Sequence, residues 1–203
     1  MEKCAYGKDI YVRMRRMTRK TSAYLDDFDC GNPTLNSYIA ADQHDVSTVS
    51  YLFIDDGQDA VISYVSIACA GVIVLSGKDE ELVEEHPYLR DTPVFDELTT
   101  LSMMEIKIFA ADEKYQHVKM HKESKKHDTL GSRILRQTLF MLKNISSRHI
   151  GSKGVLLYSV PDKENFYARH GFGRFPYEMR RNAGYFEDCV PMIMLWPWAK
   201  EES

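Results

Sequence analysis

The clearest hydrophobic period lies in residues 130–149, where Leu130, Ile134, Leu135, Leu139, Leu142 and Ile145 fall on one stripe. That spacing predicts an amphipathic helix with the stripe turned to a core. Residues 9–17 instead set Ile10, Val12, Met14 and Met17 among Arg13, Arg15 and Arg16, close to the two-residue period of a strand. At Asn32-Pro33 a good N-cap precedes a proline, which loses nothing at the first helical position by lacking an N–H. With Leu35, Ile39 and Val46 behind it, a helix over 33–45 is expected. Residues 49–54 and 60–75 are strand-like and separated by the turn-prone Asp55-Asp56-Gly57-Gln58-Asp59.

Further on, 79–85 suggests a short acidic helix stopped by Pro87, and 102–111 a second β run. Residues 112–128 are polar, with no clean period. After the 130–149 helix come a strand at 154–160, then a short helix capped by Asp162 and closed by Gly171. Strands at 172–175 and 190–195 complete the pattern, and Trp196-Pro197-Trp198 reads as a C-terminal anchor on the sheet. A hairpin in the first half and β/α alternation in the second predict one mixed α/β layer structure.

Composition narrows the class. The chain has 203 residues, 44% hydrophobic and 28% charged, which excludes a disordered or fibrous protein and suits a single domain over 1–203. Twenty-six Lys and Arg against 30 Asp and Glu give a formal charge of −4, which disfavours a global polyanion binder but leaves a local basic patch open. Arg13, Arg15, Arg16, Arg19 and Lys20 form such a run, either a solvated strand face or a hold on RNA or phosphate. Cys4, Cys30, Cys69 and Cys189 show neither a C-x-x-C pair nor zinc spacing. His117 and His121, with His127 nearby, lack acidic partners at metal-binding spacing and read as a solvated loop, so no metal is expected. The first residues carry charges where a signal peptide needs an apolar run, and no stretch approaches the ~20 apolar residues of a membrane span. A soluble, cytoplasmic protein without a membrane partner is expected.

The candidate chemistry lies in a strand–loop–helix unit. Residues 105–112, the loop after them and the helix from Leu130 would present unpaired N–H groups at the helix start, where the dipole favours an anion. Such an end suits phosphate or pyrophosphate. Thr129-Leu130-Gly131-Ser132-Arg133 adds a glycine, two hydroxyls and a guanidinium, though ordinary helix starts carry the same residue types.

Two motifs flank this unit. Phe166-Tyr167-Ala168-Arg169-His170-Gly171-Phe172 resembles the closing motif of the GNAT N-acetyltransferase superfamily, and Phe109-Ala110-Ala111-Asp112-Glu113-Lys114-Tyr115-Gln116 resembles the end of that family's central strand. The resemblance is strongest over 105–175. More weakly, Phe28-Asp29-Cys30-Gly31-Asn32-Pro33-Thr34-Leu35-Asn36-Ser37-Tyr38 is similar to bacterial GNATs that include toxin acetyltransferases. The family's phosphate loop reads Gln/Arg-x-x-Gly-x-Gly/Ala. Here Lys126-His127-Asp128-Thr129-Leu130-Gly131 matches it, with Lys126 in the first position and Thr129 in place of the first glycine.

The resemblance implies a GNAT acyl-CoA N-acyltransferase fold, a twisted mixed sheet of six or seven strands with helices on both faces. Strands 106–111 and 155–160 would be parallel neighbours that splay apart. Acetyl-CoA would be the co-substrate, its pyrophosphate at Lys126 and at Thr129, Leu130, Gly131, Ser132 and Arg133. Its pantetheine arm would lie along Ile108, Phe109, Ala110 and Ala111. A lysine-like amine is neutral in only about one molecule in a few thousand at pH 7, so transfer to it needs a base or a desolvating site. Glu105 stands where the family places a glutamate base, and Tyr167 where it places the acid that protonates the departing thiolate. Judged from their neighbours alone, Tyr167 also suits a core aromatic and Glu105 a solvent-facing strand position. The implied partners are acetyl-CoA and an amine acceptor, with a homodimer as one assembly. The acceptor would be a small amine or a protein, or, by the toxin resemblance, an aminoacyl-tRNA. A degenerate scaffold that no longer catalyses is the remaining alternative.

Overall fold

The structure, a computed structural model, describes residues 10–74, 99–119, 128–175 and 189–197. Seven strands form one sheet in the order β1-β2-β3-β4-β5-β7-β6. They are β1 (Val12–Arg16), β2 (Thr48–Asp55), β3 (Ala60–Val74), β4 (Thr99–Ala111), β5 (Gly154–Ser159), β6 (Gly173–Arg174) and β7 (Val190–Leu195). Among the described residues, the α-helices are α1 (Pro33–Asp42), α2 (Leu130–Ile145) and α3 (Glu164–Ala168). β1–β2, β2–β3, β5–β7 and β6–β7 are antiparallel. β4 and β5 run parallel and pair from Met103/Gly154 to Ile106/Leu157, the parallel neighbours that the family resemblance implies. The expected acidic helix at 79–85, together with Lys126, His121, His127 and Trp198, lies outside the described residues.

The chain divides into two compact units, residues 1–68 with 107–141 and residues 69–106 with 142–203, and the division passes through β3, β4 and α2. The first has a core of Cys30, Ile39, Leu52, Ile54, Val61, Tyr64, Ile108 and Ala110. The second buries Val72, Leu101, Met103, Leu156, Phe175, Ile193 and Leu195.

Local chemistry sets the element ends. The Asn32 side chain accepts the Leu35 N–H at 3.0 Å, which makes it the expected N-cap of α1, with Pro33 in the first turn. α1 stops at Asp42, short of the expected 45. The carboxylate of Asp45 instead takes the Ser47 N–H at 2.8 Å and its hydroxyl at 2.6 Å, a turn that competes with helix. Val46, expected on the buried stripe, is therefore fully exposed. The α2 stripe holds: Leu130, Ile134, Leu135 and Leu142 are buried. The helix ends at Ile145 and a wider π turn, Ser146–Ile150, closes at Gly151, whose φ is +62°. Gly154 opens β5 because a Cβ there would lie 2.2 Å from the Met194 carbonyl oxygen. The Trp196 N–H donates to the Lys153 carbonyl at 2.9 Å, tying the end of β7 to the start of β5.

Candidate active site

In the second unit, Tyr167 occupies the fourth position of the five-residue α3. Asp162 does not cap this helix. Pro161 starts a 3-10 turn, Pro161–Lys163, that has no side-chain cap, and Asp162, inside that turn, pairs with Lys163 at 2.8 Å. The helix is secured at its other end. The Gly171 N–H reaches the Ala168 carbonyl at 3.1 Å and the Phe172 N–H reaches the Tyr167 carbonyl at 3.3 Å. This is a Schellman closure, and it needs the left-handed φ of +92° found at Gly171. The Phe172 ring packs edge-on against Tyr167 at 6.0 Å, the apolar contact that accompanies this closure. The spacing Phe-Tyr-x-x-x-Gly-Phe thus has a mechanical reason: glycine and the second aromatic fix the backbone of the tyrosine.

Tyr167 is 8% exposed, and Phe166 meets its ring edge-on at 5.1 Å. Burial, with Cys189 nearby, pushes its hydroxyl pKa well above the ordinary value, so the group stays protonated at neutral pH. Glu164, at the start of α3, is gripped by the Arg174 guanidinium through two bonds, one of 2.6 Å, and this pairing holds its carboxyl below the usual range. Glu105 is half-buried on β4, paired in register with Leu156.

In the first unit, Ile108 and Ala110 are buried, while Phe109 and Ala111 are half-buried. Beyond β4, the chain is held by a polar junction with the segment before α1. The Asp29 carboxylate accepts the Gly31 N–H at 2.8 Å and the Asn36 amide at 2.7 Å, bonds that lower its pKa. Asp112 accepts the Asp29 N–H at 3.2 Å, and the Gln116 amide donates to the Cys30 carbonyl at 2.9 Å and the Ala111 carbonyl at 3.0 Å. Gly31 has a φ of +73°, and a Cβ there would meet Glu113 Oε1 at 2.3 Å. Residues 28–36 are thus a dock onto the end of β4. The motif was visible in the sequence, but its partners Asp112 and Gln116 were not.

Thr129, Leu130, Gly131, Ser132 and Arg133 gather at the start of α2, as expected. The first turn of that helix contains no acidic residue, and Arg133 is exposed. Several N–H groups there already have acceptors. Leu130 donates to Val118 O at 2.9 Å, Arg133 to Thr129 O at 3.1 Å, and Ser132 to Thr129 Oγ1 at 3.3 Å. Thr129 is therefore an N-cap, a role its hydroxyl takes over the third residue of the helix.

The fold and these residues can be set beside known proteins. The fold is shared with solved structures of toxins. The chain is similar to a bacterial toxin at 19% identity and a TM-score of 0.64, over 92% of this chain and 91% of that one. It is also similar to AtaT complexed with acetyl-methionyl-tRNAfMet, at 14% identity and a TM-score of 0.60, over 89% and 94%. AtaTR bound with acetyl-CoA matches at 13% identity and a TM-score of 0.58, over 90% and 93%. At these identities the likeness establishes the fold. No family model matches the chain, and no curated protein matches it. Among the described residues, no helix is long and apolar enough to cross a membrane.

Proposed function

We propose that the chain is a single GNAT-type domain that transfers the acetyl group of acetyl-CoA to an amine, and that the amine is the α-amino group of an aminoacyl-tRNA. One observation carries the first part. β4 and β5 are parallel with α2 between them in the chain, and their ladder ends at Ile106/Leu157 while β4 runs on to Ala111. In the proposed complex the pantetheine arm pairs with the backbone of Ile108, Phe109, Ala110 and Ala111. The acceptor reading is favoured by the likeness to AtaT complexed with acetyl-methionyl-tRNAfMet. Chemistry agrees with it. An α-amino group has a pKa near 7.7–8.0, so roughly one molecule in ten is neutral at pH 7, far more than for a lysine.

In the reaction the neutral amine attacks the thioester carbonyl carbon, a C–N bond forms, and the C–S bond breaks. Tyr167 donates its proton to the departing sulfur, and Glu105 receives the proton lost by the nitrogen. A tyrosine held protonated by burial suits the first task.

The pyrophosphate is assigned to the start of α2, with Arg133 and Lys126 as its cations. Here Thr129 is the critical residue, because its hydroxyl occupies the Ser132 N–H that a phosphate oxygen would use. Thr129→Ala should lower stability by about 1 kcal/mol, a few degrees in Tm. Calorimetry should show acetyl-CoA binding several-fold tighter to the same variant. Unchanged or weaker binding would remove the phosphate from this N–H and favour the non-catalytic scaffold.

A further inference from the structure

The basic run at 13–20 is not uniform in the structure. Arg13 is used locally: its Nη2 lies 3.1 Å from Asp59, its Nε contacts Asp56, and Tyr24 also donates to Asp59 at 3.2 Å. Arg15, Arg16, Arg19 and Lys20 are all exposed, and none forms an ion pair with another described residue. A chain with a formal charge of −4 therefore shows four unneutralised cations within six residues.

Their backbone is held firmly. β1 is the edge of the sheet, with Arg15 opposite Leu52 and Arg16 opposite Tyr51. The Met17 N–H donates to Ser50 O at 2.7 Å, and the Met17 side chain packs on the core of the first unit. A hydroxyl-locked turn follows: Thr18 N–H to Thr21 Oγ1 at 2.8 Å, Thr21 N–H to Thr18 O at 2.9 Å, and Ser22 Oγ to Arg19 O at 2.9 Å. Tyr11, 73% exposed, adds an aromatic face at the other end of the strand. Cations on an edge strand also discourage pairing with other chains, a task for which lysine is the usual choice. Three of these four are arginines, whose planar fork matches phosphate in a way a lysine cannot.

We propose that Arg15, Arg16, Arg19 and Lys20 grip the phosphate backbone of the acceptor RNA. The proposal rests on the aminoacyl-tRNA reading above. A fixed scaffold leaves only side-chain freedom to be lost on binding, and counterion release supplies a sequence-independent attraction.

The test measures binding of bulk aminoacylated tRNA to the full chain across a salt series. The variant is Arg15→Ala/Arg16→Ala/Arg19→Ala/Lys20→Ala. Affinity should fall at least tenfold at low salt, and the log–log salt slope should become shallower by about 3. Acetyl-CoA affinity should be unchanged. Arg19→Ala/Lys20→Ala, which leaves the strand intact, should account for about half the change in slope. Arg13→Ala should leave the slope as it is.

Wild-type affinity and slope in both multiple variants would overturn the patch and leave the acceptor reading standing. Absence of any tRNA binding by the unaltered chain would overturn both. Polyglutamate competing as well as tRNA would assign the patch to an acidic protein and overturn the RNA grip.

Discussion

Replacing Tyr167 with phenylalanine is expected to lower turnover by about 10²–10⁴ while acetyl-CoA affinity barely moves. The substitution keeps the ring, and so keeps the edge contacts with Phe166 and Phe172. It also leaves the Schellman closure untouched, since that uses only the Tyr167 carbonyl. What it removes is the hydroxyl proton that the proposed mechanism passes to the thiolate. If the ring were only a piece of core, the same change would cost about 1 kcal/mol of stability and leave turnover intact. Melting temperature and rate on one purified variant separate the two. The pH dependence follows from the direction of the shift. The hydroxyl pKa is raised by burial above the unfolded value near 10, so the group is a donor at all pH values below that. The stability it lends is fully present below about pH 10 and is lost as pH rises toward the folded value. No falling limb of kcat should come from Tyr167 below pH 9, and a full-rate Tyr167→Phe protein ends its assignment as the acid.

The second large effect is on stability. Lys107 on β4 lies 2.7 Å from Asp45 and 3.6 Å from Asp42, whose side chain is 1% exposed. Asp42 also accepts from Tyr64 at 2.6 Å and Ser50 at 3.0 Å. As the last residue of α1 it sits at the negative end of the helix dipole, which makes a buried carboxylate there harder to hold. Burial pulls the Lys107 pKa down, but Asp45 and Asp42 outweigh it and the net shift is upward. The hydrogen bond from Lys107, with those from Ser47, holds Asp45 well below its ordinary value. A lowered carboxylate stabilises above its unfolded pKa and a raised ammonium below its own, so this pair favours the fold between about pH 4 and pH 10. Lys107→Met should leave Asp42 buried with two hydroxyl donors and no cation, at a cost of about 3 kcal/mol, or roughly 6–12 °C in Tm. Adding Asp42→Asn to that variant should recover part of the loss, with a coupling of about 1–3 kcal/mol. A single variant within 0.5 kcal/mol of the parent would show that the pair is not a stabilising unit.

What the sequence conveyed depended on distance along the chain. The cap at Asn32, the stripe from Leu130 to Leu142 and the glycine closure at Gly171 each join residues within about two turns, and local chemistry decides them. Val46 and Asp162 misled for a related reason: each fits a helical pattern, but a competing turn one or two residues away takes the backbone first. The dock of Asp29 and Cys30 on Asp112 and Gln116 joins residues more than 80 apart, beyond any periodicity. The hold of Lys107 on Asp42 and Asp45 likewise spans more than 60 residues. The run from Arg13 to Lys20 looked uniform in the sequence because only the turn carrying Asp56 and Asp59 distinguishes its first arginine from the rest.

The most direct measurement follows radiolabelled acetyl groups from acetyl-CoA onto a panel of aminoacyl-tRNAs, polyamines and lysine peptides, with free CoA thiol measured alongside. Label is expected in an amide on the aminoacyl group of tRNA, with one thiol released per label and both signals lost in Tyr167→Phe. Failure to bind acetyl-CoA at millimolar concentration, with no label on any acceptor, would contradict the proposed acetyl transfer.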